Sequence, residues 1–260
     1  DTIDLIEDMG VPLKCERGNR VFPCSDKATD IVDALVHYGT DDGAQIIHGR
    51  AKELIIKDGV LKGVRTIDGE EIAADKVIIA TGGKSYPLTG STGDGYELAR
   101  QAGHTIIEPK PSLVPLNAHE GFCTDLMGLS LRNVTMKVID TKKKNKIIYD
   151  DFGEMLFTHF GISGPLVLSA SAHMAELAPE DVQLLLDLKP GLTAEQLDAR
   201  LLRELDASGK RQLRTLLTTR YPASLAEEMP ALCGIPAHTP ACEITREQRA
   251  RLVQAGKELP

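Results

Sequence analysis

The segment from Val77 to Gly83 constrains the fold more than any other part of the sequence. Four apolar residues, 77–80, run directly into Thr81-Gly82-Gly83. A short, wholly apolar run that ends in glycines is typical of a central parallel strand that is buried on both faces. In open α/β sheets, ligands bind at the carboxyl ends of such strands, and glycines there let a bulky group approach the backbone. The segment therefore predicts an α/β fold with a ligand site after residue 80, although an ordinary exit from a strand into a loop gives the same pattern.

A second glycine-rich stretch, residues 89–95, leads into a predicted helix that begins near Asp94 and ends at Gly103. Free backbone N–H groups at a helix N-terminus attract anions or a polarised ring edge. The Asp94 carboxylate would repel a phosphate, so we expect it to cap the helix or to accept a hydrogen bond from a ligand. The alternative is an ordinary flexible loop.

The residues before this strand predict the rest of an α/β domain, which we place at residues 1–112. In order, they predict a hairpin at 11–24 that turns at Arg17-Gly18-Asn19, a helix capped by Ser25 and ended by Gly39, a buried strand at 45–48, and an antiparallel meander with turns at Asp58-Gly59 and Asp68-Gly69.

The character of the chain changes after three prolines near residue 112. Residues 113–190 predict a β-rich domain with a charged hairpin tip at 142–146, and residues 191–260 predict a small helical subdomain. Two helix starts carry the capping-box pattern, in Thr193 with Gln196 and in Thr245 with Gln248. A further helix is expected to start at Pro165, with Ser163 or Gly164 as its N-cap.

Charge and composition exclude several functional classes. The chain has 38 acidic and 30 basic residues, a net charge of −8, and aromatic residues make up only 4% of it. Nucleic-acid binding needs a basic face and stacking aromatics, so we expect no nucleic-acid partner. Five cysteines without a Cys-x-x-Cys pair predict neither disulfides nor a metal site. We expect a cytoplasmic protein that does not interact with membranes.

Four separated motifs, in this order, resemble the bacterial BaiN/YhiN-like flavoproteins, which are FAD-binding enzymes of the aminoacetone-oxidase type. The motifs are residues 16–23 with 25–28, residues 80–87 with 89–95, residues 111–116, and residues 153–165. The resemblance implies an FAD-binding Rossmann-type domain that is interrupted by a β-rich and helical insertion. It also implies that the GxGxxG loop and the C-terminal glycine-rich segment of such enzymes have no counterpart here, so the chain is expected to be an internal fragment that binds FAD weakly or not at all when alone.

The resemblance further implies which residues face the cofactor and the substrate. The expected cofactor contacts are Ala51, Ala80, Thr81, Gly82, Gly83, Gly90, Thr92, Gly93, Asp94 and Gly95. His159 and Ser163 are expected on the substrate side. Arg20, Lys84 and His159 are the polar residues that we consider first as catalytic candidates, and none of them is established as catalytic by the sequence.

The sequence as a whole favours part of an FAD-dependent oxidoreductase that acts on a small organic molecule, with NADH or NADPH as a candidate electron donor. The alternative is a non-catalytic module that binds a nucleotide or another ligand, or that serves in assembly, and has lost the cofactor. A serine hydrolase is a weaker alternative because no nucleophile-elbow pattern is present. The substrate and the oligomeric state are not determined by the sequence.

Overall fold

The computed structural model describes residues 1–16 and 19–260 of the chain. Arg17 and Gly18, which belong to the predicted hairpin turn, lie outside the described residues. The chain divides into two compact units, Asp1–Ile107 (unit 1) and Glu108–Pro260 (unit 2). Both units combine helices and strands, which confirms the predicted mixed α/β class.

Unit 1 contains three α-helices and five short strands among its described residues, and these strands pair antiparallel. Its described elements are α1 (Thr2–Asp8), β1 (Leu13–Glu16), β2 (Arg20–Pro23), α2 (Ala28–Asp41), β3 (Ala51–Lys57), β4 (Val60–Thr66), β5 (Glu71–Ala73), a 3-10 turn (Pro87–Thr89) and α3 (Asp94–Gln101). Strands β1 and β2 form the predicted hairpin, and β3, β4 and β5 form the predicted meander. At the first meander turn, Asp58 and Gly59 have φ values of 51° and 73°, as the tightest hairpin turns require.

Two predicted strands of unit 1 are wrong. Residues 45–48 and 77–80 are irregular, and their isoleucines are exposed: Ile46 and Ile47 each to 58%, and Ile78 to 90%. The physical reason is that a central strand exists only between hydrogen-bonded neighbours, and no strand among the described residues pairs with either segment. The sequence pattern correctly indicates that these residues are apolar, but it does not indicate whether neighbouring strands are present to pair with them.

The predicted start of α2 is also wrong. Lys27, not Ser25, is the N-cap, and no side chain caps the helix. The Ser25 hydroxyl instead accepts a hydrogen bond from the Lys27 N–H and donates one to the Asp30 carboxylate at 2.5 Å, so it organises the turn before the helix. The helix continues past Gly39 to Asp41, because one glycine in a helix costs only about 1 kcal/mol.

Unit 2 is built on one antiparallel sheet whose strands lie in the order β10-β7-β8-β9-β6. Its elements are β6 (Leu116–Asn117), α4 (Phe122–Asp125), β7 (Ser130–Asp140), β8 (Lys146–Thr158), β9 (Gly161–Ser163), α5 (Pro165–Met174), β10 (Val182–Asp187), α6 (Ala194–Ser208), α7 (Leu213–Leu217), α8 (Ala223–Leu232) and α9 (Arg246–Lys257). The long β7–β8 hairpin has its tip where the lysine run predicted it, and helices dominate after β10, also as predicted.

The hydrophobic core of the chain lies almost wholly in unit 2. Buried side chains of β7, β8, α5 and the C-terminal helices form one continuous cluster, which includes Met136, Phe157, Leu201 and Leu225. Both predicted capping boxes are present, and Gly164 is the N-cap of α5. In the described part of unit 1, by contrast, Ile6, Val11 and Leu98 are the buried hydrophobic residues.

Gly161 allows the chain to turn from β8 into β9, which pairs with β6. Its φ is 151°, and a Cβ atom at this position would collide with the Leu116 carbonyl oxygen and lie 2.5 Å from the Ala118 nitrogen. Both obstacles are backbone atoms, so the neighbouring strand would have to move to admit any side chain. Glycine at residue 161 is therefore required for the β6–β9 pairing.

We expect Gly161→Ala to destabilise unit 2 by about 2 kcal/mol or more, because the substitution combines an unfavourable φ with a backbone collision. The measurement is denaturant unfolding followed by circular dichroism. Gly121→Ala is the matched control, since Gly121 has a helical φ of −59° and nothing within 4 Å of the added Cβ. Equal unfolding midpoints for the two variants would contradict this account of Gly161.

Candidate functional site

The candidate site in unit 1 depends on close packing between residues 79–84 and the first turn of α3. A Cβ atom on Gly95 would collide with the Thr81 hydroxyl oxygen and lie 3.0 Å from a methyl carbon of Ile79. Gly95 is buried and its φ is not unusual, so glycine is needed here for space and not for backbone freedom. The absence of a side chain at residue 95 lets the Thr81 and Ile79 side chains lie against the helix.

Gly93 packs against Lys84, at the other end of residues 79–84. A Cβ atom there would lie 2.9 Å from two side-chain carbons of Lys84 and 3.3 Å from the Tyr96 ring. The Lys84 ammonium lies 5.9 Å from the centre of the Tyr96 ring, within the range of a cation–π contact. The structure thus gives Gly93 and Gly95 a packing role, and their role as cofactor contacts stays a prediction.

Asp94 does not cap α3 through its side chain, which corrects one of the two roles expected for it. The N-cap is Gly93, with a φ of 85°. The Asp94 carboxylate instead accepts two hydrogen bonds from Arg50, at 2.6 and 2.8 Å, and one from the Thr92 hydroxyl at 2.9 Å. These bonds, those from Arg50 first, lower the pKa of Asp94. They tie the residue before β3 to the start of α3.

The backbone of residues 80–83 is left open by this packing. Ala80, Thr81 and Gly82 are exposed, and among the described residues no backbone hydrogen bond uses an N–H or C=O group of residues 80–83. Gly82 has a φ of 72°, and a Cβ there would lie no closer than 3.6 Å to the Ser91 hydroxyl. The side chain nearest to Gly83 is Tyr96, whose hydroxyl would be 3.4 Å from an added Cβ.

The nearby loop is open as well. Gly90 is exposed, has a φ of 96°, and would have nothing within 4 Å of an added Cβ. Among the described residues, 80–83 therefore present backbone groups without backbone partners, whereas Gly90 is bonded to Pro87 and Thr92 but has open space where a side chain would be. This is the arrangement that a flat or phosphorylated cofactor needs in order to lie against the chain, so the residues fit an FAD contact.

The remaining predicted site residues are divided between the two units. Arg20 lies in β2, with a guanidinium nitrogen 3.9 Å from the Glu16 carboxylate, and Ala51 is the first residue of β3. His159 is exposed in the turn after β8, with its ring edge-on to Phe160 at 4.9 Å, and Ser163 ends β9. Arg20, Lys84 and Ala51 thus belong to unit 1, whereas His159 and Ser163 belong to unit 2.

Sequence reasoning missed two residues that organise the unit 1 site, Arg50 and Tyr96. Tyr96 was placed in the helix, but its position against Gly83 and Lys84 depends on how the preceding loop folds back. No local pattern indicates that Arg50 reaches Asp94, which is 44 residues away. In the described ranges, no group of three or more His, Cys, Asp or Glu side chains is placed to hold a metal ion.

Two protein-family models together match the whole chain. Residues 1–175 match the HI0933-like protein Rossmann domain, and residues 110–260 match the HI0933-like protein barrel and H2TH domain. The chain belongs to the HI0933-like family. This membership confirms the resemblance that the four motifs indicated, and it places the glycine-rich segments within the family's Rossmann domain.

Curated relatives of this family member come from several bacteria. The chain is 29% identical to the 3-dehydro-bile acid delta(4,6)-reductase of Clostridium scindens, over 99% of the chain and 62% of that protein. It is 31% identical to the ribosomal RNA dihydrouridine synthase of Haemophilus influenzae, over 87% of the chain and 54% of that protein. The enzyme of the same name from Escherichia coli is 28% identical over 91% of the chain and 56% of its own length. The chain thus spans roughly half to three-fifths of the length of these relatives. Among the residues described, no helix is both long and apolar enough to cross a bilayer.

We expect Asp94→Asn to reduce the stability of unit 1 at neutral pH but not in acid. A carboxylate whose pKa is lowered on folding stabilises the fold above its unfolded pKa, and this contribution is lost as the pH falls through the folded pKa. The difference in unfolding midpoint between wild type and Asp94→Asn should therefore shrink as the pH falls below the ordinary aspartate range. Denaturant unfolding over a series of pH values measures this difference in midpoint.

Asp75→Asn is the control for this measurement, because Asp75 is an exposed aspartate of unit 1 outside the Arg50–Asp94 contact. It should show no such pH-dependent difference. If the unfolding midpoint of Asp94→Asn stays below that of the wild type by the same amount in acid, the Arg50–Asp94 ion pair is not the cause of the difference.

Proposed function

We propose that this chain is part of an FAD-dependent oxidoreductase and that the open backbone of residues 80–83 lies against the flavin cofactor. The observation that carries the proposal is the exposed glycine backbone at Gly82 and Gly83, held in place by the packing of Thr81 on Gly95. Membership of the HI0933-like family, whose members bind FAD, supports the choice of cofactor. When bound, FAD supplies the two-electron hydride chemistry.

The residues of unit 1 have distinct roles in this proposal. Gly82 and Gly83 offer unpaired backbone N–H groups as hydrogen-bond donors to the cofactor, and Gly90 leaves space beside it without a side chain. The Arg50–Asp94 ion pair fixes the loop before α3, so that these donors keep their positions. Neutralisation of Asp94 by Arg50 also reduces the repulsion that its carboxylate would exert on a phosphate group.

The reaction that we propose is the addition of hydrogen across a carbon–carbon double bond. The names of two kinds of relative, a delta(4,6)-reductase and a dihydrouridine synthase, support it, because both denote a reduced product. NADH or NADPH is the proposed source of the two electrons. For the substrate we favour a small organic molecule, since a net charge of −8 is unfavourable for contact with RNA phosphates.

The proposal is tested with the chain extended at both ends to the length of its curated relatives. We expect the extended protein to bind FAD, measured by flavin fluorescence, and we expect Gly82→Ala to weaken binding by about tenfold, because a Cβ would intrude where the cofactor meets the backbone. The matched control is Gly103→Ala, since Gly103 also has a positive φ, 86°, and open space around it, but lies after α3. It should bind FAD as the wild type does.

Two outcomes would contradict the proposal. If the extended protein binds no flavin, the alternative of a non-catalytic module that has lost its cofactor is favoured. If both glycine variants bind FAD as well as the wild type, the cofactor does not lie against Gly82. Oxidation of NADPH in the presence of an α,β-unsaturated ketone, compared with a uridine-containing RNA, then separates a small-molecule substrate from a nucleic acid.

A further inference from the structure

Unit 2 contains a cavity of about 860 Å³ that no sequence motif indicated. Its volume falls in the range of pockets that bind small molecules. The sheet provides its back wall through buried side chains, among them Met136 on β7, Phe157 on β8 and Ile162 on β9. His159 and Ser163, the residues expected on the substrate side, are not among its lining residues.

The cavity exists because the sheet curls. Each of the five strands contributes at least one lining residue, including Leu116 from β6 and Leu184 from β10, which are the two edge strands. In a flat sheet these edges would lie about 19 Å apart, four strand spacings. Both edges border the same space, so the sheet forms an incompletely closed barrel, and small barrels of this kind have room for one ligand.

The interior of the cavity is apolar and uncharged. Besides the strand residues, Phe122, Met174 and Leu177 line it. Burial, with a smaller contribution from the charge of Glu120, raises the pKa of the Cys123 thiol to about 11, so this group is neutral at physiological pH. The lining residues, all of them within the described part of the chain, include neither Lys nor Arg.

The polar groups of the lining are either satisfied within the fold or exposed. The buried Ser171 hydroxyl donates a hydrogen bond to the Leu168 carbonyl at 2.7 Å and accepts one from the Val114 N–H at 2.9 Å. Asn117, His119 and Glu120 are exposed, which places them towards the mouth. A ligand inside would therefore meet hydrocarbon and sulfur, with a carboxylate and no basic amine or guanidinium group around the opening.

We propose that the unit 2 cavity binds an uncharged, apolar small molecule whose hydrocarbon body lies inside the curled sheet. An anionic ligand of the same shape is disfavoured, because no cation lines the site to offset the cost of removing its charge from water. The proposal goes beyond the proposed redox function and does not require FAD. It is therefore tested on the chain without cofactor, so that a failure of either proposal is separable from a failure of the other.

The first experiment measures the fluorescence of Nile red bound to the chain. The bound dye is then displaced by 1-dodecanol or by dodecanoate, which have the same number of carbons but of which only dodecanoate is charged. We expect Nile red to bind, and we expect displacement by dodecanoate to require at least about tenfold more ligand than displacement by dodecanol. Absence of Nile red binding, or equal displacement by the two compounds, would overturn the proposal.

A pair of variants locates the bound probe. Ala175, the C-cap of α5, lines the cavity, whereas Ala172 within α5 is exposed and does not line it. Because an indole at residue 175 would occupy the cavity, Ala175→Trp should weaken Nile red binding by at least about tenfold, and Ala172→Trp should leave it within about twofold. Equal binding by the two variants would place the dye elsewhere, for example on the exposed isoleucines of unit 1, and would overturn the proposal.

A change of charge gives a second readout that does not depend on loss of binding. Glu120→Lys should improve displacement by dodecanoate about tenfold relative to dodecanol, because it places a cation near the mouth. Glu227→Lys, the same change at an exposed position of α8 outside the lining, should leave the ratio unchanged. If Ala175→Trp lowers the melting temperature, the ratio of dodecanoate to dodecanol needed for displacement decides the outcome. An unchanged ratio in Glu120→Lys would then overturn the proposal that the dye binds in the cavity.

Discussion

The contact between Thr81 and Gly95 is the constraint on which the unit 1 site depends. The Thr81 hydroxyl occupies the space that a side chain at residue 95 would fill, so the segment after Ile79 lies directly on the first turn of α3. Ala80, Thr81 and Gly82 remain exposed, and the side chains nearest to the two glycines are Ser91 at Gly82 and Tyr96 at Gly83. The Arg50–Asp94 ion pair adds a second connection, from the residue before β3 to the same turn. Glycines therefore serve two purposes here, close packing at 93 and 95 and an open backbone at 82, 83 and 90.

The two units differ in how completely they bury apolar residues. Unit 2 has a continuous core that extends from its curled sheet into the C-terminal helices, and the curl leaves an apolar cavity. In unit 1, α2 has no buried residue, and its Val32 and Tyr38 side chains are exposed to 56% and 60%. Ile46, Ile47 and Ile78 are exposed as well. Apolar exposure on this scale marks an interaction surface.

Local features of the sequence predicted local structure well. Thr193 and Thr245 cap their helices, Asp58-Gly59 forms the hairpin turn, and α3 begins at Asp94, because each of these depends on residues a few positions apart. The strands at 45–48 and 77–80 were predicted wrongly, since apolar character indicates burial and not the presence of a pairing partner. The four family motifs predicted the family, which the family models confirm. The Arg50–Asp94 pair and the unit 2 cavity join residues far apart in sequence, and no local pattern indicates them.

Amide hydrogen exchange tests the central claim most directly, because it reports on the backbone groups that the claim concerns. It is measured on the extended protein with and without FAD, with residues 191–192 of unit 2 as an internal reference. Our account predicts slower exchange at residues 81–83 when FAD is bound, and unchanged exchange at the reference. Equal exchange at residues 81–83 in the two samples, with flavin demonstrably bound, would contradict it.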